Sequence, residues 1–504
     1  MTQPPNILIL MADQMAAPFL PFYGPSPVKA PTLSRLAEEG VLFRSAYSNS
    51  PLCAPARFTL QSGVLPSRIG AFDNASEFPA STPTMAHYLR LGGYRTILTG
   101  KMHFAGPDQM HGYEERLTTD IYPADFGWTP DWTDFPTRPT WYHSLDSVLG
   151  AGPTIRTNQI DFDEEVVFTA RRKLYDIARD KDERPFFMTV SLTHPHDPYA
   201  IHEDYWNRYE GVDIPMPTVR RGDVEQDPHS ERLRHVCDLD AAEVTDEMIR
   251  TARRAYFGSI SFVDDQFAAI LETLRETGMA DNTVIIVCGD HGDMLGERGL
   301  WYKMHYFEGA ARIPLIIHAP GRYRPAAIDA SVSLVDLVPT LLDIAGLDVD
   351  PALAFDGRSL VPHLNGTGGH DEVIGEYMGE GTIAPLVMIR RGPWKFIHSR
   401  VDPDILFNLV DDPYELDNLA ADPEMAQLVA DLRNEVDRRW DFDAITKAVI
   451  ESQRSRRVVG AANAVGKATV WDYQPPRNAG EEYVRAHMDL EELEAMARFP
   501  RVRS

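Results

Sequence analysis

Four apolar runs of strand length, each ending in ionisable residues, constrain this chain more than any other feature. They are "NILILMAD" (6–13), "YRTILTGKMH" (94–103), "RPFFMTVSLTHPHDPY" (184–199) and "NTVIIVCGDHGD" (282–293). A strand that is apolar on both faces must be covered on both faces. Such runs, separated by helical stretches, predict a parallel sheet between two layers of helix. In sheets of that kind the ligand site lies beyond the carboxyl ends of the strands. Asp13, Lys101, His103, His194, His196, Asp290 and His291 are therefore expected on one rim.

The helical patterns fall on "APTLSRLAEEG", stopped by Gly40, and near 163–180, 247–278 and 333–345. Beyond about 370 the texture changes. "APLVMIRRGPWKFIHS" (384–399) reads as two strands around a Gly-Pro turn, "DILFNLV" (404–410) as a third, and "PEMAQLVADLRNEVDRRW" (423–440) as a helix. The expected class is α/β: a large, mostly parallel sheet sandwiched by helices, then a smaller antiparallel sheet with a helix, then an extended tail. The boundaries fall at 1–370, 371–440 and 441–504. The tail is polar and has no evident core. It nonetheless carries Trp471, Tyr473, Tyr483, Met488, Leu490 and Phe499, more anchors than a disordered segment normally holds.

Charge excludes some partners. Asp and Glu number 75 against 49 Lys and Arg, a formal charge of −26. That argues against nucleic acid and against anionic membrane surfaces. It would repel an anionic substrate at a distance, but not a zwitterion. No apolar run reaches the roughly 20 residues of a membrane span. The opening "MTQPPNILILMADQ" reads as a buried strand rather than a signal peptide. Three cysteines in 504 residues make no disulfide framework, and a cytoplasmic location is expected.

One of those cysteines stands apart. In "SPLCAPARFTLQSG" (50–63), Cys53 lies two residues before Pro55 and four before Arg57, at the expected mouth of a helix. The spacing alone leaves open a buried apolar residue, an idle loop thiol or a reactive centre. The stretch resembles the signature of the type I sulfatases, Cys-x-Pro-x-Arg with a downstream Thr/Ser-Gly element. Ala56 stands where most of them carry Ser. "GGYRTILTGKMHFAGP", "THPHDPY" and "GDHGDMLGERGLWYK" resemble three further stretches of that family, so the resemblance covers about 1–400.

The resemblance implies an alkaline-phosphatase-like fold and hydrolysis of a sulfate ester. It implies that a formylglycine-generating enzyme oxidises Cys53 to formylglycine. The hydrated aldehyde then attacks sulfur, and the hemiacetal sulfate later expels sulfate. Arg57 would hold the hydrate and the sulfate. Asp13, position 53, Asp290 and His291 would bind one divalent metal, Ca²⁺ in the first place, with Mn²⁺ or Mg²⁺ as alternatives. Gln14 stands where sulfatases often have a second Asp. Lys101, Lys303 and His196 would stabilise the sulfate and protonate the leaving oxygen. His103 would be the base for collapse of the intermediate, and Asn74 a donor to the sulfate or ester oxygen.

Residues 106–130, and "WDYQPPRNAGEEYVRAHM" (471–488), are similar to the choline sulfatases. That implies choline O-sulfate as substrate, with Trp128, His143 and Glu380 around the trimethylammonium group. A quaternary ammonium has no N–H to donate, so aromatic faces and negative charge must recognise it, at about 0.5–2 kcal/mol per ring. It also implies a homo-oligomer, a tetramer built as a dimer of dimers. The tail would pack on a neighbour, with Asp489 and Glu491 near the neighbour's ammonium pocket. A phosphonate or phosphodiester hydrolase of the same superfamily and a silent osmolyte-binding protein are the competing classes.

Overall fold

The four apolar runs form adjacent strands in the computed structural model, which describes residues 4–500 apart from 349, 351–353, 479, 481–482 and 484–487. The strands are Asn6–Ala12, Arg95–Gly100, Phe186–Leu192 and Thr283–Gly289. They lie in the order 283–289, 6–12, 186–192, 95–100, all parallel, within a nine-stranded sheet. Apart from Asn6, every residue in them is buried. Successive residues feed opposite faces, as a period of two requires. Leu8 and Leu10 enter one core with the helices Asn158–Arg179 and Asp246–Glu276. Ile7, Ile9 and Met11 enter the other with Cys53–Ser62, Met85–Leu91 and Leu337–Ala345. Each such aliphatic side chain contributes about 1.5–3 kcal/mol on burial.

The sheet is mixed. Leu315–His318 runs antiparallel to both Thr283–Gly289 and Val41–Tyr47, while Ala326–Ser333 runs parallel to the latter. The expected α/β class with helices on both faces is the class observed.

A second sheet follows, with four antiparallel strands in chain order: Glu372–Tyr377, Leu386–Arg391, Trp394–Ser399 and Ile405–Asn408. Val387, Ile389, Phe396 and Leu406 pack against Val429, Leu432 and Val436 of the helix Ala426–Arg439. Three of these strands and the helix are legible from periodicity. The strand Glu372–Tyr377 was not expected.

The tail from 441 begins with a helix that the sequence reading did not place. Phe442–Asn463 is a helix of 22 residues, capped by the Asp441 carboxylate, which accepts from the Ala444 N–H. Its buried residues are Phe442, Val449, Gln453 and Arg456. Arg456 donates two hydrogen bonds of 2.7 Å to Asp73, and Gln453 Oε1 accepts from the Trp132 N–H at 3.0 Å. Two of the four buried positions are polar, so no apolar stripe announces the helix. Further on, Trp471 meets Phe126 with ring centroids 5.1 Å apart, so this part of the tail lies on its own subunit. Asp489 caps the helix Leu490–Ala497 by accepting from the Glu491 N–H. Tail residues 479, 481–482, 484–487 and 501–504 lie outside the described residues. Among the described residues no helix is long and apolar enough to cross a membrane.

Candidate active site

The sheet register assembles the rim. Ala12 pairs with Leu192 on one side and Gly289 on the other, and Gly100 pairs with Ser191. The residues that follow, Asp13, Asp290 and Lys101, thus leave the sheet at one level. Cys53 meets them from above as the first residue of the helix Cys53–Ser62, all of which is buried. Pro55 suits that first turn, where its missing N–H costs nothing. The Ala54 N–H, free of any intrahelical partner, donates to Asn74 Oδ1 at 3.0 Å. The helix N-terminus brings partial positive charge to position 53.

Cys53 Sγ lies 3.2 Å from His291 Nε2 and 3.9 Å from Asp13 Oδ1. Burial alone would raise the thiol's pKa. Lys101, Lys303 and His291 outweigh it and hold the thiol well below its ordinary value. Burial also pushes Asp13 upward, as does Cys53, yet Lys101, His196 and Arg57 bring it down to about 2. His291 is raised: desolvation opposes its charge, but Asp290 and Cys53 favour it. Ligand atoms of Asp13, Cys53, Asp290 and His291 all lie within 4.8 Å of one another.

Arg57 is engaged with both carboxylates. Its Nε donates to Asp290 Oδ2 at 2.9 Å, Nη2 lies 3.2 Å from Asp13 Oδ2, and Nη1 donates to Ser191 Oγ at 2.9 Å and to the Lys101 carbonyl. The guanidinium braces the two carboxylates. Asp290 and Asp13 sit one residue past the ends of adjacent strands, so a single planar fork spans both.

The remaining cations surround position 53. Lys101 Nζ pairs with Asp13 and lies 4.2 Å from the centroid of the Tyr122 ring. Lys303 Nζ donates to Gln14 Oε1 at 2.7 Å and to His196 Nε2 at 2.8 Å. Both ring nitrogens of His103 are buried without a hydrogen-bond partner, and burial lowers its pKa although Cys53 opposes this. His194 faces away: its Nδ1 lies 2.7 Å from Asp163 Oδ2, and its ring packs on Phe262.

A carboxylate lies among these groups. Glu380 is buried and its Oε2 has no hydrogen-bond partner among the described residues. Burial raises its pKa, and His143 and Lys303 counteract this. His143 stacks on Tyr302 with centroids 4.5 Å apart, and its Nδ1 lies 3.5 Å from Asp197 Oδ2. Trp128 is edge-on to His103 at 5.7 Å and to Tyr122 at 5.2 Å. Contacts through Tyr122 and His196 connect Lys101, His103, Trp128, Lys303 and His143. Glu380 faces them through its electrostatic interactions with His143 and Lys303.

Sequence reasoning passed over Tyr122 and Asp197. Tyr122 covers Lys101 and touches His103, Trp128 and His196. The buried Asp197 carboxylate lies between His143 and His196. Its place beside His196 in "HPHDPY" was the available signal.

Residues 5–347 match the family profile described as Sulfatase. The whole chain is 48% identical to the choline-sulfatase of Rhizobium meliloti (strain 1021), over 99% of either protein. The chain belongs to the sulfatase family. As a sulfatase it is a sulfuric ester hydrolase. Residues 296–441 also match the profile "N-sulphoglucosamine sulphohydrolase, C-terminal", and 447–499 match "Choline sulfatase enzyme C terminal". The sulfatase is 28% identical, over 84% of its length and 93% of the relative's, to the multifunctional alkaline phosphatase superfamily protein PehA of Trinickia caryophylli. Its fold is shared by the phosphonate monoester hydrolase SpPMH from Silicibacter pomeroyi, with a TM-score of 0.69 at 24% identity, covering 86% of this chain and 95% of that one. Sulfatases carry a metal site, and two carboxylates, an imidazole and position 53 form a cluster with the donors to hold one.

Proposed function

We propose that this sulfatase hydrolyses choline O-sulfate to choline and sulfate. The observation that carries the reading is a buried site that holds both signs of charge around position 53. Lys101, Lys303 and His291 act on position 53, His196 hydrogen-bonds Lys303, and the buried Glu380, whose Oε2 has no hydrogen-bond partner among the described residues, interacts with Lys303, His143 and position 53. A zwitterion with sulfate at one end and a quaternary ammonium at the other matches that polarity. The relationship to the R. meliloti choline-sulfatase, which extends through the C-terminal profile, supports the same substrate.

Cys53 is read as the precursor of formylglycine. As its hydrate, that residue supplies an oxygen nucleophile for sulfur and a second oxygen through which sulfate can be released. Asp13, residue 53, Asp290 and His291 would hold a divalent cation, which would supply Lewis acidity and offset sulfate charge. Oxygen-rich donors favour Ca²⁺, and the imidazole also suits Mn²⁺. Elemental analysis of the native enzyme tests that choice.

The chain's own residues do the rest. Arg57 fixes the two ligand carboxylates. Lys101 and Lys303 neutralise the sulfate oxygens as charge shifts toward the leaving group. The alkoxide of choline is a poor leaving group and needs a proton. Lys303 Nζ and His196 Nε2 share one at 2.8 Å, and this pair delivers it. Neutral His103, with both ring nitrogens free, takes the proton from residue 53 when sulfate departs. Cys237 and Cys288, buried and free, suit a reducing compartment, so we place the enzyme in the cytoplasm. Exposed Tyr483 and Leu490 on the tail are consistent with the expected homotetramer. The deciding experiment is turnover in ¹⁸O-labelled water. Attack on sulfur puts label into sulfate; label in choline means attack on carbon and overturns the reading.

A further inference from the structure

Loop 116–128 links the chemistry to the C-terminal segment. Asp120 is its hub. The Asp120 Oδ2 accepts from the N–H groups of Met102 and His103 at 2.9 and 3.0 Å, and from Arg116 Nη2 at 2.8 Å. His103 has φ 59°, a left-handed conformation that costs a non-glycine residue about 1 kcal/mol or more. The hydrogen bond to Asp120 holds it there. The imidazole interacts with the Cys53 side chain, and its approach to it is set by this backbone and by the rings of Tyr122 and Trp128, at 5.2 and 5.7 Å. Both rings belong to the same loop.

The loop is itself anchored from outside. Asp472 Oδ1 accepts from the Ala124 N–H at 2.9 Å. The Tyr473 hydroxyl donates to the Arg116 carbonyl at 3.2 Å, and the Arg116 guanidinium lies 5.1 Å from the Tyr473 ring centroid. Trp471 packs on Phe126. Three consecutive tail residues thus grip both ends of the loop, and none of them reaches position 53.

We propose that Trp471–Tyr473 is a clamp that positions the active site. By fixing loop 116–128 it sets Asp120, and through Asp120 the His103 backbone, while holding the Tyr122–Trp128 wall. Asp120, Asp472 and Tyr473 are positioning residues. The two consequences differ. His103 serves turnover of any sulfate ester, whereas Trp128 serves the trimethylammonium group. Loosening the clamp lowers kcat on every sulfate ester and raises KM for choline O-sulfate alone. The KM part rests on the substrate reading above; the kcat part does not.

The test uses the full-length enzyme with Asp472→Ala, Asp472→Asn and Tyr473→Phe. Asparagine keeps an oxygen that can accept the Ala124 N–H. Asp472→Ala should lower kcat about tenfold on both choline O-sulfate and 4-nitrophenyl sulfate, because small misplacements of reacting groups have effects of that order. It should raise KM for the former only and speed hydrogen exchange in peptides spanning 100–125. Asp472→Asn should restore all three to near wild type. Tyr473→Phe, which keeps the ring and loses one hydrogen bond, should speed the same exchange and lower kcat by about threefold. Wild-type kcat in Asp472→Ala, unchanged exchange over 100–125, or equal damage from Ala and Asn overturns the clamp. Should the wild type cleave only 4-nitrophenyl sulfate, the substrate reading fails, and kcat and exchange still decide the clamp.

Discussion

Glu380 is the residue whose energetics say most about the ligand. A buried carboxylate oxygen without a partner costs about 1–3 kcal/mol, which a bound cation offsets. Glu380→Gln should raise KM for choline O-sulfate about tenfold and leave KM for 4-nitrophenyl sulfate within about twofold, with no loss of thermal stability. Trp128→Ala should show the same discrimination through loss of a cation–π contact, again about tenfold. Equal losses on both esters would make these residues structural. At position 53 the expected outcome is chemical. Peptide mass spectrometry of enzyme from its native host should find an aldehyde in place of the thiol; fully active enzyme with intact Cys53 would overturn the mechanism. Position 53 and Trp128 were readable as candidates because each lies in a stretch that resembles the family, whereas Glu380 rested on the resemblance alone. Tyr122 and Asp197 were not readable, since their importance depends on which rings and carboxylates meet across the pocket. Arg57 was readable as a residue but not in its orientation, because no spacing shows that two carboxylates stand behind it.

At the scale of elements, legibility follows the source of burial. The four central strands bury aliphatic side chains on both faces, and a run of such residues has few other uses. The helix Phe442–Asn463 buries Gln453 and Arg456 through partners at Trp132 and Asp73, more than 300 residues away in sequence. Periodicity cannot register that. The strand Glu372–Tyr377 carries Gly375 and the buried Glu376, whose carboxylate accepts from the Ser67 N–H and the Trp440 indole, so it too lacks an apolar signature. The Arg456–Asp73 pair gives the element-scale prediction. Both side chains are buried, and removing one leaves the other uncompensated. Arg456→Ala should therefore destabilise the enzyme by about 3–5 kcal/mol in denaturant titration. Asp73 precedes Asn74, which caps the helix of Cys53, so kcat should fall as well. An unchanged denaturation midpoint would show that the helix is not integral to the catalytic unit.

On the scale of the whole molecule, a formal charge of −26 surrounds a pocket built to receive a sulfate. The two act over different distances. Lys101, Lys303 and the helix N-terminus at Cys53 act at contact, where salt screens little. The acidic surface acts through solvent, where the Debye length is about 8 Å at physiological ionic strength. An approaching anion meets the surface first. For singly negative 4-nitrophenyl sulfate, kcat/KM should be depressed at low salt and rise as sodium chloride is raised from about 10 to 200 mM, since screening removes the long-range repulsion. Choline O-sulfate has no net charge, and its ammonium end is attracted as its sulfate end is repelled. Its kcat/KM should change by less than about twofold over the same range. The comparison separates surface from pocket without a mutation, because both esters end in one site. Parallel salt curves for the two esters would mean that the charge of −26 plays no part in selecting a zwitterion.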